Sequence, residues 1–416
     1  MLAKTAATIR FYGWVIVAVS FVSLTVAFGV RLSFTVFFVA LIDEFGWLRA
    51  DTAFIFSVSM IVFAATSILA GMALDRWGVR LTFGLGALLM ALGLLLSSRV
   101  QAYWQLLLAY GVIASLGITI LGLGPQASVI ARWFRQRRGL AIGIAFSGTG
   151  IGVLLIIPAV EYLTSVYGWR AAYLALGVLS LIMAPLIVFL MRLNPSDLGL
   201  EADGITQEAG ARPAPQASQN WTMRRVARSP AFWLLLVAAV GAIGPVRMLT
   251  VHQLAIIEAA GVSRSFAALV IGASGAVTAL AFIFLGALSD RIDRRLVYFL
   301  GALSLLAAIA ILSGIRGPQH VLWMGLFAFF LGLGEGSRSS LVTAVASDLF
   351  PGDALGAVNG TVGAAFGLGA AFFPWFAGFL FDVQGKYTLG FVAAGATVLV
   401  SAFALALAPR FQKIDG

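Results

Sequence analysis

The chain of 416 residues has no cysteine, two histidines and little charge: Asp, Glu, Lys and Arg together make up 11% of it. Without cysteine there are no disulfides and no thiol chemistry, although that absence says nothing about compartment. Strand-like alternation of apolar and polar residues is missing, which argues against a membrane barrel. No phosphate-cradling strand-to-helix loop, metal-ligand cluster or nucleophile with a base at suitable spacing occurs. An enzyme is therefore not expected, and no cofactor is implied.

What is present is apolar. Hydrophobic residues make up 61% of the chain and the mean hydropathy is +1.01, which predicts a polytopic membrane protein. Twelve runs are long enough to cross about 30 Å of hydrocarbon: roughly 12–40, 53–73, 79–97, 103–131, 139–166, 170–192, 231–258, 266–288, 296–315, 320–347, 355–382 and 387–408. Lipid admits only helices or closed barrels, so the expected fold is an all-α membrane protein with twelve transmembrane helices. The first run has no small-residue cleavage site and exceeds a signal peptide's core, so it is read as retained.

A net charge of +10 would suit nucleic acid or acidic lipid, but its distribution points to the lipid bilayer and away from nucleic acid. With the N-terminus in the cytoplasm, 18 basic residues fall inside, 6 outside and 3 within the membrane. That asymmetry predicts a multi-pass protein of the cell inner (cytoplasmic) membrane with both termini cytoplasmic. A polar, proline-bearing segment at 193–230 divides six helices from six: a bundle at 1–192, a cytoplasmic linker at 193–230 and a bundle at 231–416. Around it the halves repeat. Gly71, Asp75, Arg76 and Arg80 recur as Gly286, Asp290, Arg291 and Arg295, and Gly46 and Arg49 as Gly261 and Arg264, all at an offset of 215. Within this repeat, Asp75, Arg76, Arg80, Asp290, Arg291 and Arg295 read as helix-end charges that gate the inner face by pairing and unpairing.

At these loops the chain resembles the major facilitator superfamily, whose loop between helices 2 and 3 is similar to Gly71–Arg80 and whose loop between helices 8 and 9 is similar to Gly286–Arg295. The resemblance implies two pseudo-symmetric six-helix bundles. Two further stretches, Tyr12-Gly13-Trp14 and Trp133–Gly143 with Ser147–Gly150, resemble signatures of the monocarboxylate transporters and their oxalate/formate-exchanger relatives. In the second, Gly143, Gly148, Gly150 and Gly152 suggest a small-residue face for a neighbouring helix. The chain departs from that branch at helix 8, which carries no charge, so the branch's binding residues do not transfer.

An anion site is instead assembled from three arginines inside apolar runs: Arg31 on helix 1, Arg247 on helix 7 and Arg338 on helix 10. A buried guanidinium stays charged and offers a fork of donors suited to carboxylates and phosphates. Leaving one uncompensated at a helix centre costs at least about 2.5 kcal/mol. Arg31 and Arg247 sit at near-equivalent places in the two halves, 216 residues apart. Glu335 stands three residues before Arg338, within pairing distance on one helix, so Arg338 either binds substrate or balances Glu335. His252 and Glu335 are the candidate proton carriers. His252 lies five residues beyond Arg247, about 140° round the helix.

The expectation is a secondary transporter of small organic anions, mono- or dicarboxylates, working by alternating access as a monomer, with proton symport ahead of anion exchange. An organophosphate or inorganic-anion exchanger is the alternative within the same class. An anion receptor or assembly protein that transports nothing is the alternative outside it.

Overall fold

The structure is a computed structural model and describes residues 2–134, 137–200, 202, 222–289, 292–350 and 355–412. Asp290 and Arg291, Arg135 and Gln136, and most of the 193–230 linker lie outside the described residues. The described chain is helical with no strand. Lipid offers no water to backbone N–H and C=O groups, so each crossing closes its hydrogen bonds within itself. In order, the helices are α1 (Tyr12–Phe45), α2 (49–77), α3 (79–97), α4 (Tyr103–Trp133), α5 (Arg138–Tyr167) and α6 (Trp169–Leu190). They continue as α7 (Pro230–Ala259), α8 (Arg264–Ser289), α9 (Arg294–Gly314), α10 (Val321–Leu349), α11 (Leu355–Gln384) and α12 (Thr388–Gln412). Eleven spans among the described residues are long and apolar enough to cross a membrane. The twelfth crossing, α10, matches them at 29 residues but carries Glu335 and Arg338.

Turn chemistry explains part of the sequence repeat. Gly46 and Gly261 both take the left-handed backbone, with φ of 65° and 83°, and end α1 and α7 in equivalent ways. Side chains rarely adopt such angles, so the pair of glycines marks the pair of turns. Between α2 and α3 the chain reverses at Gly78 (φ 77°, ψ 166°). At the matching turn before α9, Asp293 caps the helix instead, accepting from Arg295 N at 2.8 Å. The hydrogen bond from Arg295 holds the Asp293 carboxyl below the usual carboxylate range.

The first six helices meet the last six along two seams, α5 against α8 and α2 against α11. Small residues make both possible. Gly150 lies against the backbone of Gly275, Gly367 against Ala64, and Gly378 against the backbone of Arg49 and Ala50. The glycines of α5 do not share one face, as their clustering suggests. Gly148 and Gly152, four residues apart, abut α1 at Phe21 and Thr25, whereas Gly150, about 200° round the helix, faces α8. Both seams loosen toward one end of the molecule, where nothing among the described residues lies within 4 Å of a Cβ placed at Gly143 or Gly363.

The two signature stretches touch each other. Tyr12 lies 5.5 Å from Trp133 and Trp14 lies 5.2 Å from Phe134, ring to ring. Tyr12 also donates to Leu190 O at 2.9 Å and Trp133 to Arg192 O at 3.1 Å. Together they tie the start of α1 to the ends of α4 and α6.

Candidate functional site

Arg31 projects from the middle of α1, 5% exposed, between the rings of Phe28 at 5.5 Å and Phe63 at 4.9 Å. Each ring attracts a guanidinium by about 0.5–2 kcal/mol. The helix breaks just beyond it at Ser33, and the Arg31 carbonyl accepts from Tyr110 at 3.1 Å. Tyr110 belongs to a π-helical stretch of α4, Leu107–Ala114, a local irregularity of the kind that marks functional sites. Nε and Nη2 of Arg31 have no hydrogen-bond partner. These two atoms form one edge of the guanidinium, the geometry that a carboxylate takes with two parallel bonds.

Arg247 comes from α7 and lies close enough for its charge to act on Arg31. Its Nη2 meets Glu335 Oε1 at 2.8 Å, and its Nη1 is buried without a partner. Both side chains of this pair are largely shielded, at 12% and 17% exposure. The i,i+3 spacing on α10 therefore misleads: Glu335 turns across to α7 and does not pair with Arg338.

Arg338 is fully buried and points elsewhere. Its Nη2 donates to Gly241 O at 2.7 Å and lies 3.3 Å from both Tyr298 Oη and Ser401 Oγ, with the Tyr298 ring at 5.2 Å, while its Nε and Nη1 are buried without a partner among the described residues. The reason lies in α7, where Pro245 has no N–H to give to the carbonyl four residues back. That carbonyl is Gly241 O, and Arg338 takes it. Geometry thus places Arg338 among α7, α9 and α12, apart from the Arg31, Arg247 and Glu335 group.

His252 also stands apart. Its Nε2 meets Pro374 O at 2.8 Å and its Nδ1 meets Tyr387 Oη at 2.9 Å, while Phe38 packs edge-on at 4.8 Å. A carbonyl only accepts, so Nε2 carries the hydrogen and Nδ1 accepts from tyrosine. The Tyr387 oxygen in turn accepts from Arg49 Nη1 at 2.7 Å.

That chain leads to contacts the sequence reading missed, at the end of the molecule where the seams are tight. Asp382 of α11 accepts from Arg49 N at 3.1 Å and Ala50 N at 2.7 Å, so a carboxylate from one half caps a helix of the other. Leu48, the cap residue in the chain, has no side-chain acceptor to offer. Arg264 of α8 pairs with Asp43 of α1, again across the halves, and with Glu258 at 2.6 Å. The repeated Gly46/Arg49 and Gly261/Arg264 signal marked one partner of each contact; Asp43 and Glu258 stand at the same offset of 215, whereas Asp382 has no acidic counterpart, the position 215 residues earlier being Tyr167.

At the other end, ion pairs among the described residues stay within a half. Arg132 of α4 holds Asp75 at 2.7 Å, Arg294 holds Asp348 at 3.0 Å, and Arg80 reaches Met191 O at 3.3 Å. Arg295 pairs with its own neighbour Asp293 at 2.5 Å, and Arg76 is exposed. The aromatics of α1 serve the helix core: Phe34 stacks on Tyr110 at 5.1 Å and Phe37 on Tyr173 at 3.7 Å.

The sequence matches the family model described as Major Facilitator Superfamily over residues 19–251 and 246–413. Among curated proteins it is similar to monocarboxylate transporter 11 of Homo sapiens, 29% identical over 408 residues that cover 96% of this chain and 83% of that protein. It is also similar to monocarboxylate transporter 2 of Mus musculus, at 25% over 94% of this chain and 82% of that protein. Among solved structures it resembles a bacterial homologue of the human lysosomal transporter Spinster in an inward-facing, unoccupied conformation. The TM-score there is 0.67 at 18% identity, covering 97% of this chain and 96% of that one. The nucleoside transporter NupG follows with a TM-score of 0.71 at 12% identity, over 95% of this chain and 99% of that one. At such identities these structures speak for the fold alone, an all-α transporter fold of twelve helices.

Proposed function

The chain belongs to the major facilitator superfamily of membrane transporters, and from that premise we propose that it moves a small monocarboxylate across the cytoplasmic membrane in symport with a proton. Membrane carriers of this family are not enzymes. The observation that carries the substrate reading is the free donors of two arginines at near-equivalent places in the two halves, close enough for their charges to interact: Nε and Nη2 of Arg31, and Nη1 of Arg247. Two guanidiniums and the Glu335 carboxylate leave one net positive charge, which attracts a single carboxylate. The monocarboxylate transporters among the relatives support the same class.

Proton coupling follows from Glu335. A substrate carboxylate that takes Arg247 competes with Glu335 for it. A shielded carboxylate that loses its counter-charge binds a proton. One proton then travels with one monoanion. His252, whose two ring nitrogens are both engaged, belongs to the junction between the halves and not to this exchange. Arg338 holds α10 to α7.

Alternating access also accounts for the asymmetry of the two ends. Basic residues concentrate at the end where the halves are splayed, which puts that end in the cytoplasm. Both termini are then cytoplasmic, the halves are 1–192 and 231–416, and the described state faces inward with its outer junction shut. Asp75, Arg76, Arg80 and Arg295 are the gating charges of the splayed end; Asp290 and Arg291, assigned the same role by the sequence repeat, lie outside the described residues.

Uptake of labelled carboxylates into proteoliposomes, with and without an imposed proton gradient, tests the reading. Lactate-sized acids should accumulate when the gradient is inward and acidic outside. Glu335→Gln should retain carboxylate binding and lose the response to the gradient. Competition by phosphate esters but not by lactate-sized acids would instead favour an organophosphate exchanger, and binding without accumulation would favour a receptor.

A further inference from the structure

The tight junction contains more acid than it can pair. Asp43 at the end of α1 and Glu258 at the end of α7 hold one guanidinium, Arg264, and Glu161 of α5 lies within range of its charge. Its Nη2 is taken by Asp43 and its Nε by Glu258. Glu161 feels Arg264 only through its charge, against the like charge of Glu258. It is 2% exposed, and its Oε2 has no hydrogen-bond partner. The other elements packed on α5 do not relieve it: Arg170 of α6 is held by Glu44 of α1 at 2.6 Å, and the charge of α4, Arg132, lies at the opposite end. Beside the cluster, Asp43, Arg49, Glu258 and Arg264 line a cavity of about 180 Å³. At about 30 Å³ per molecule it is large enough for water.

We propose that Glu161 is a proton-binding site of the closed junction, separate from Glu335, which holds its proton while α5 and α8 are packed together and gives it up when the halves part there. An ionised carboxylate buried without a partner is costly enough that it neutralises instead. When the junction opens, Asp43 and Glu161 leave with one half while Glu258 and Arg264 leave with the other, and Glu161 reaches water. Closing therefore takes one proton from solution onto the Glu161 carboxylate, and opening returns it; no other bond changes. The sign follows: acid favours the closed junction, and its stability falls as pH rises. This rests on the reading that the halves separate at this face during transport.

The absence of cysteine makes the test direct. Spin labels at Tyr167→Cys on α5 and Val383→Cys on α11, both exposed at this end at 66% and 68%, report the distance across the junction between pH 5 and 8. The closed-to-open ratio should fall by up to about tenfold per pH unit where Glu161 titrates, the limit for one linked proton. Glu161→Gln, with the same shape and no charge, should keep the closed distance throughout. An unchanged pH profile in that variant, or a flat profile in the parent, would overturn the proposal. Should Glu161→Gln not fold, Glu258→Gln removes the neighbouring like charge and should move the midpoint to lower pH, and an unmoved midpoint counts against Glu161. The distances are read with no carboxylate present, so a failure of carboxylate uptake bears on the substrate reading alone.

Discussion

Two buried arginines and a half-buried third meet three different environments, and partners rather than depth separate them. Arg31 rests between two aromatic rings with an unoccupied edge, and Arg247 shares itself between Glu335 and a free Nη1. Arg338 gives one nitrogen, Nη2, to a backbone carbonyl, a tyrosine and a serine, and its other donors are enclosed among α7, α9 and α12. The residues themselves were legible in the sequence, because an arginine in an apolar run announces its cost. Their partners were not. On one helix Glu335 and Arg338 are neighbours, but rotamer choice and the carbonyl freed by Pro245 send them to different places. Arg338→Ala should therefore act on folding: hydrogen bonds to a charged group contribute about 1.5–3 kcal/mol each. The expected result is a clear drop in the thermal unfolding temperature of the purified protein, with carboxylate affinity retained in the fraction that stays folded.

Among the elements, α2 and α11 show how a helix end becomes part of a moving junction. The backbone N–H groups at the start of α2 need an acceptor, and Asp382 supplies it from the other half. The interaction exists only while the halves are together on this face, so it biases the conformational equilibrium and leaves the fold of either half alone. Capping of this kind is worth about 0.5–2 kcal/mol. Asp382→Ala should shift the closed-to-open ratio toward open by roughly twofold to thirtyfold, read from the same pair of spin labels. A ratio unchanged from the parent would mean the cap is incidental. The helices were legible as apolar runs, and their turns as repeated glycines. The direction of each small-residue face was not, since Gly148, Gly150 and Gly152 lie on one run but contact two neighbours.

For the whole molecule, a repeat of six helices places one arginine from each half at nearly matching positions, one residue out of register, and the asymmetry of function is written in what surrounds them. Glu335 has no counterpart in the first half: the position 215 residues earlier is Ile120. The symmetric pair binds charge, while the single acid lets the proton enter the exchange. The twelve crossings and the two-half repeat could be read directly from the sequence, as could the bias in basic residues. The shut junction could not, because its acids, Asp43 and Glu258 at the repeat offset of 215 and Asp382 outside it, do not reveal their partners until the halves are brought together. The most direct measurement is the affinity of purified protein for a lactate-sized carboxylate, compared between the parent and Arg247→Ala with folding checked by thermal unfolding. Loss of binding in a variant that still unfolds cooperatively is the predicted result; an affinity equal to the parent's would contradict the two-arginine site.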